Sequence, residues 1–360
     1  STDRASIRRA LLARETPLPW SRRLGWWPAA ALYFLLASGE LVFNQTATLP
    51  RVIATGLLVY AVVNLAAGLL FGAAWLERGE VFSVLFATWG RLGWFRWGAA
   101  GPRGFTGGLR QPFEPTAGRM AFVLLLLISV NFDGLLNTPR WTLLEKSDVA
   151  AGSLDAFRLG SFVLLAVVIA VVFGSFATAS ARAGRRNEGT RVALAGLLPS
   201  MLPIAFAYLL AHNLQYVLVN AQLLGPLLGN PTGHHDLGLP YPFNDSVVPN
   251  PTFLPSAFYW YAGVVAIVGA HVLAVVLAHR HLGRSDDEGL ARRSEYPWLV
   301  AMVGYTMVSL TLIAQPLVTE KASAAATSSV GARVLATSTT GPATGEALED
   351  GLDVAIDAAR

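Results

Sequence analysis

The sequence predicts an all-α integral membrane protein with about seven transmembrane helices and an interfacial segment after the second. Three observations carry that expectation. Only 14% of the 360 residues are charged and 53% are hydrophobic, whereas a soluble domain carries roughly 25% charged residues. Residues 159–181 contain no charged side chain, and residues 192–233 contain none apart from His212. An uncharged apolar run of about 18 residues or more is long enough to cross ~30 Å of hydrocarbon. Finally, the basic residues gather in short loops, as they do when they set orientation in a membrane.

Hydropathy places the spans at 24–43, 52–76, 120–138, 159–181, 192–228, 255–278 and 297–318. With the N-terminus inside, the cytoplasmic segments hold 20 of the 27 basic residues, among them Arg22, Arg23, Arg78, Arg110, Arg182, Arg185, Arg280 and Arg284. The loop over 229–254 holds no Lys or Arg. Basic residues resist translocation, so the count predicts N-in and C-out. Residues 1–23 then form a basic cytoplasmic segment, 24–318 the helical bundle, and 319–360 an extracytoplasmic tail rich in Ala, Ser and Thr. Too little apolar surface is available in that tail to build a core. Residues 81–97 combine aromatics, arginines and glycines; they read as a segment lying at the headgroups or as a re-entrant turn packed under the bundle.

The composition also excludes chemistry. Without cysteine there are no disulfides, thiolate metal sites or iron–sulfur clusters. No phosphate-binding loop, serine-hydrolase elbow or HExxH string is present. The net charge of +4 reflects loop arginines and predicts a lipid bilayer, not nucleic acid, as the partner.

The informative residues are therefore the polar ones within spans, which are costly in hydrocarbon and face a bundle or a water-filled path. Glu40 and Asp133 lie near the outer ends of the first and third spans; His212 lies in the fifth and His271 in the sixth. At 100° per residue, Tyr208, His212, Gln215, Tyr216, Asn220 and Gln222 share a face about 160° wide, with Asn213 at its edge. Such a face either glues helices together or lines a cavity. His212 precedes the outer end of its span by 16 residues, and His271 follows the start of its own by 16. The two imidazoles are thus expected at one depth, roughly 24 Å below the outer ends, where they could share a divalent metal or a b-type haem. Asp133 is either an outer-end ion-pairing group for Arg140 or Arg51, or a metal or proton ligand. His279 and His281 read as interfacial anchors, and His234, His235 and Asp236 as a solvated loop.

Several strings together resemble the bacterial integral membrane proteins labelled fenitrothion hydrolase. They are Arg23-Leu-Gly-Trp-Trp-Pro28 with Gly39-Glu-Leu-Val42, and Trp75-Leu-Glu-Arg-Gly-Glu-Val-Phe-Ser-Val84. Asn131-Phe-Asp-Gly134 follows, then Ala207-Tyr-Leu-Leu-Ala-His-Asn-Leu-Gln-Tyr216 and Gly269-Ala-His271. The resemblance implies a hydrolase of organophosphate triesters in the bacterial cytoplasmic membrane, with Asp133, His212 and His271 at recurrent polar positions. Three functions stand open on the sequence. One is an enzyme or redox subunit with metal or haem on His212 and His271. Another is a transporter or channel lined by Glu40, Asp133 and the polar fifth helix. The third is a structural subunit of a larger membrane complex.

Overall fold

A computed structural model describes residues 16–93, 104, 106–147, 152–232, 237–244, 246–283 and 287–311. The tail over 319–360, the loop residues His234, His235, Asp236 and Asp245, and the end of the aromatic segment over 94–97 lie outside the described residues. Among the described residues every regular element is helical. We number them α1 (Trp27–Leu41), α2 (Asn44–Ala47), α3 (Pro50–Phe71), α4 (Ala73–Arg78), α5 (Val81–Trp89) and α6 (Ala117–Leu136). There follow α7 (Pro139–Glu145), α8 (Leu154–Ala183), α9 (Thr190–Asn220), α10 (Leu224–Gly229), α11 (Ser256–Leu282) and α12 over 288–311.

Five helical stretches are long and apolar enough to cross a membrane: α3, α6, α8, α11 and the run Thr190–Gly229 that joins α9 to α10. Several long apolar helices make this a multi-pass membrane protein in class. The first expected span is shorter than the hydropathy suggests. Helix α1 has 15 residues, about 22 Å of rise, because Trp26 caps its start and Phe43 begins a new short helix. The large apolar side chains on the outside, such as Leu57, Leu58, Val171 and Val265, form the kind of surface that only lipid or another protein covers.

Helix α6 is the hub, packed against α1, α8 and α9. Gly118 lets it start there, since a Cβ at that position would lie 2.9 Å from the backbone nitrogen of Trp27. Helix α12 is held to its neighbours by polar clasps. Asn131 donates to the Tyr305 hydroxyl at 2.6 Å and accepts from Ser309 at 2.8 Å, while Trp298 donates to Ser200 at 3.0 Å. The α9–α11 pair runs along a seam of small residues, Ala207, Ala211, Gly263 and Ala270, with Ile267. Small side chains let two backbones approach where lipid supplies no hydrophobic drive.

The aromatic segment expected at the headgroups is one arm of a hairpin that folds back along α3. Gly72, at φ +64°, supplies the left-handed turn that other residues take at a cost. Helix α4 then climbs beside α3: Trp75 donates to Asn64 at 2.8 Å, and the Tyr60 hydroxyl donates to Glu80. Tyr60 is 11 residues before the end of α3, about 16 Å of helix. At the tip, Glu80 caps α5 by accepting from the backbone N–H groups of Phe82 and Ser83 at 2.9 and 2.5 Å. Helix α5 returns until Thr88 accepts from Arg119 at 2.9 Å and Trp89 meets Phe206. Over 81–93 this segment packs back against α3, α6 and α9.

The corner after α6 is closed by an ion pair. Thr138 caps α7 by accepting from Trp141 N–H, Trp141 Nε1 donates to Glu145, and Arg158 Nε meets Glu145 Oε1 at 2.6 Å. The Arg158 guanidinium, ahead of a smaller opposing effect of burial and with help from Trp141, holds the Glu145 carboxyl below the usual carboxylate range. A depressed folded value means the pair's stabilisation is complete above the ordinary value of about 4.3 and is lost as pH falls through the lowered one. Glu145→Gln is expected to lower the thermal midpoint at pH 7 and to flatten its fall between about pH 5 and pH 2. Equal acid sensitivity in both proteins would show that the pair contributes nothing.

Candidate functional site

The residues that sequence reasoning singled out fall into two places rather than one. Asp133, on the last turns of α6, meets His212 of α9: Asp133 Oδ2 lies 2.7 Å from His212 Nε2. The side chains are 34% and 26% exposed respectively, so the pair is not sealed in the core, and Asp133 lines a cavity. Tyr208, one helical turn before His212, stacks parallel to the imidazole at 6.3 Å between centroids and is 2% exposed. The Tyr208 hydroxyl is buried with no hydrogen-bond partner among the described residues. Neither Arg140 nor Arg51 pairs with Asp133 there.

The cavity beside this pair has a volume of about 400 Å³. Its polar wall is Glu40, Asp133, Asn213 and the Tyr33–Ser129 hydroxyl pair, which are 2.8 Å apart. Its apolar wall comes from the returning arm of the hairpin, through Val81, Phe82 and Trp89. Among the described residues no Lys or Arg lines it. Helices α1, α6, α9 and α5 thus converge on two carboxylates, one of which, Asp133, is bonded to the His212 imidazole. Glu40 makes no hydrogen bond or ion pair among the described residues, and so presents a carboxylate available to a cation.

His271 does not join this group. Its Nδ1 faces the Ile267 carbonyl at 2.6 Å, and its Nε2 is bonded to the Thr306 hydroxyl. The expectation of equal depth fails on the register of the α9–α11 pair. A Cβ on Gly263 would lie 3.2 Å from that of Ala211, and one on Gly196 would strike His281. His271 therefore stands level with residues 203–206, on the order of 10 Å along α9 from His212. The physical cause is the end of α9. The α-helix stops at Asn220, and a tighter helical turn over 221–223 leads into α10, where Gly225 and Gly229 press against the carbonyls of Pro242 and Phe243. Counting those residues as depth displaced the outer boundary by about two turns.

Two further expectations need correction. The set Asp133, His212 and His271 does not form a metal centre: among the described residues no three His, Cys, Asp or Glu side chains cluster. The polar face of α9 also divides. Asn213 lines the cavity, but Gln215, Tyr216 and Asn220 are exposed, because the outer third of α9 extends past α6. The amide of Asn220 is satisfied by the Tyr216 carbonyl at 2.8 Å, as that of Asn213 is by Leu209 at 3.0 Å, so neither required a polar interior. Sequence reasoning missed Tyr33, Ser129 and the hairpin tip at Glu80. No sequence signal marked Glu80 as a cap, because Glu is not among the usual N-cap residues.

If Asp133 and His212 act as one unit, a double-mutant cycle with Asp133→Asn and His212→Gln is expected to give a coupling of about 0.5–3 kcal/mol in thermal or denaturant unfolding. The His212→Gln and His271→Phe pair is expected to add within about 0.5 kcal/mol. Strong coupling between the two histidines would restore a shared site. No protein-family model, curated protein or solved structure matches the chain.

Proposed function

We propose that this chain is a proton- or cation-translocating membrane protein whose working site is the Glu40–Asp133–His212 cavity. The observation that carries the reading is Asp133, which meets His212 at 2.7 Å and lines, with Glu40, a cavity that no Lys or Arg lines among the described residues. Two carboxylates in such a place attract a cation. An imidazole bonded to one of them supplies a group that exchanges protons near neutral pH. In the proposed step, protonated His212 pairs with Asp133. Loss of that proton to a water held near the Tyr208 hydroxyl leaves a neutral imidazole bonded to the carboxylate, and Glu40 receives the next proton or the cation. The hairpin supports the reading, because broken helices at depth are tolerated where they line a cavity.

In this reading the seven spans, with α1 and α12 among them, run N-in and C-out in a bacterial cytoplasmic membrane. The arginine-rich ends of α9 and α11 then face the cytoplasm, and the Asp133 end faces outward. A tag at Ser1 is expected to be shielded from protease added to intact cells and one at Arg360 to be cleaved; both ends on one side would remove a span.

The full chain reconstituted in liposomes with an internal pH dye is expected to dissipate an imposed proton gradient. Asp133→Asn and Glu40→Gln are each expected to slow this about tenfold or more, while Glu77→Gln, away from the cavity, leaves it unchanged. Gradient decay equal to that of empty liposomes, with each monovalent and divalent cation tried, would reject translocation.

A second reading is favoured by one observation. The strings that resemble fenitrothion hydrolase supply the cavity residues Glu40, Val81, Phe82, Asp133 and Asn213. As a hydrolase, Asp133 would orient His212 to take a proton from a water attacking an aryl phosphotriester, with the phenolate leaving. Release of the phenol by the purified chain, lost in His212→Gln, separates this from translocation.

A further inference from the structure

The geometry points to a second binding site, at the other end of α9, that takes a phosphate-bearing anionic group such as a phospholipid headgroup. A cavity of about 410 Å³ lies between the turn Gly107–Leu109, the first half of α9 and the last turn of α11. Its charged lining is Arg110 and Arg280 with His281, and among the described residues no Asp or Glu lines it. Neither arginine pairs with a carboxylate among the described residues, and both side chains are exposed at the cavity mouth. Pro199 is 14 residues before Asn213 on the same helix, about 21 Å, so this site is separate from the Asp133–His212 cavity.

The cavity is built by three independent features. Pro199 has no N–H, which frees the Ala195 carbonyl of α9. That carbonyl accepts from the Phe113 N–H at 2.9 Å and pins the chain around Arg110 to the helix. Leu109 is buried at 4% exposure and anchors the same turn from within. Gly196 makes room for the His281 ring, since a Cβ there would lie 2.3 Å from His281 Nε2. Close by, the Arg91 guanidinium lies 4.1 Å over the Phe113 ring and donates to the Pro112 carbonyl, which adds to the positive field. Two guanidiniums offer forked donors that match phosphate oxygens. The apolar lining of Leu109, Pro199 and Leu277 suits the glycerol and upper acyl carbons of a lipid. Basic pockets between membrane helices bind anionic headgroups by this chemistry.

The test uses the full chain in dodecyl maltoside micelles, with bound lipid read by native mass spectrometry. The probes are phosphatidylglycerol, phosphatidylcholine and inorganic phosphate. Phosphatidylglycerol is expected to be retained over phosphatidylcholine. Arg110→Gln and Arg280→Gln are each expected to weaken it about fivefold. Gly196→Ala keeps both arginines but displaces His281, and is expected to weaken it as well and to lower the thermal midpoint, whereas the two arginine variants leave the lipid-free thermal midpoint and proton flux unchanged. If inorganic phosphate competes at millimolar concentration, the site is assigned to the free anion; if it does not, to the lipid headgroup. Equal retention of the two lipids, or retention unmoved by the double arginine variant, with no effect of phosphate, overturns the proposal.

Discussion

A hydrogen-bonding group in hydrocarbon must find its partner inside the protein, because the solvent offers none. In this chain the tertiary structure is organised around that constraint. Asn131, Tyr305 and Ser309 close a polar clasp between α6 and α12; Trp298 and Ser200 close another between α12 and α9; Thr306 bonds to His271 between α12 and α11. The clasps are one or two bonds each, which is modest per contact in a membrane. Their value is in register: each has its partner at only one axial position, so together they set how the helices slide past one another.

The Asp133–His212 contact is the same kind of clasp with different consequences. The clasps at Asn131 and Ser200 are buried among apolar side chains, whereas Asp133 and His212 are a quarter to a third exposed and Asp133 opens on a cavity. A pair that can meet water can exchange protons, and a sealed one cannot. Location, more than residue type, separates the candidate site from the structural polar groups. Helix α9 carries both extremes: its first half is nearly all buried, and Gln215, Tyr216, Val217 and Asn220 near its end are exposed.

Proline in that buried half would ordinarily be destabilising, since each removes a helix N–H and orphans a carbonyl. At Pro199 the orphan is used. The Ala195 carbonyl accepts from Phe113, and the loop that precedes α6 is thereby tied to α9. A helix irregularity thus becomes a tertiary contact, and the cavity with Arg110 and Arg280 sits beside it.

The all-helical class, the approximate positions of five long apolar helices and the identity of the polar residues were legible from composition and from runs of uncharged residues, because hydrocarbon thickness imposes a length that local sequence records. Glu40, Asp133, His212 and Asn213 could be named for the same reason: each is conspicuous in an apolar run. Which of them meet was not legible. The fold-back of residues 72–92 depends on Gly72 and on the distant pair Tyr60 and Glu80, and the depth of His271 depends on α9 ending at Asn220, with Gly225 and Gly229 of α10 against the carbonyls of Pro242 and Phe243. Those are contacts between segments far apart in the chain. Periodicity describes one helix at a time and is silent on the axial offset between two, so only the packed structure decided that His212 takes Asp133 as its partner and His271 takes Thr306.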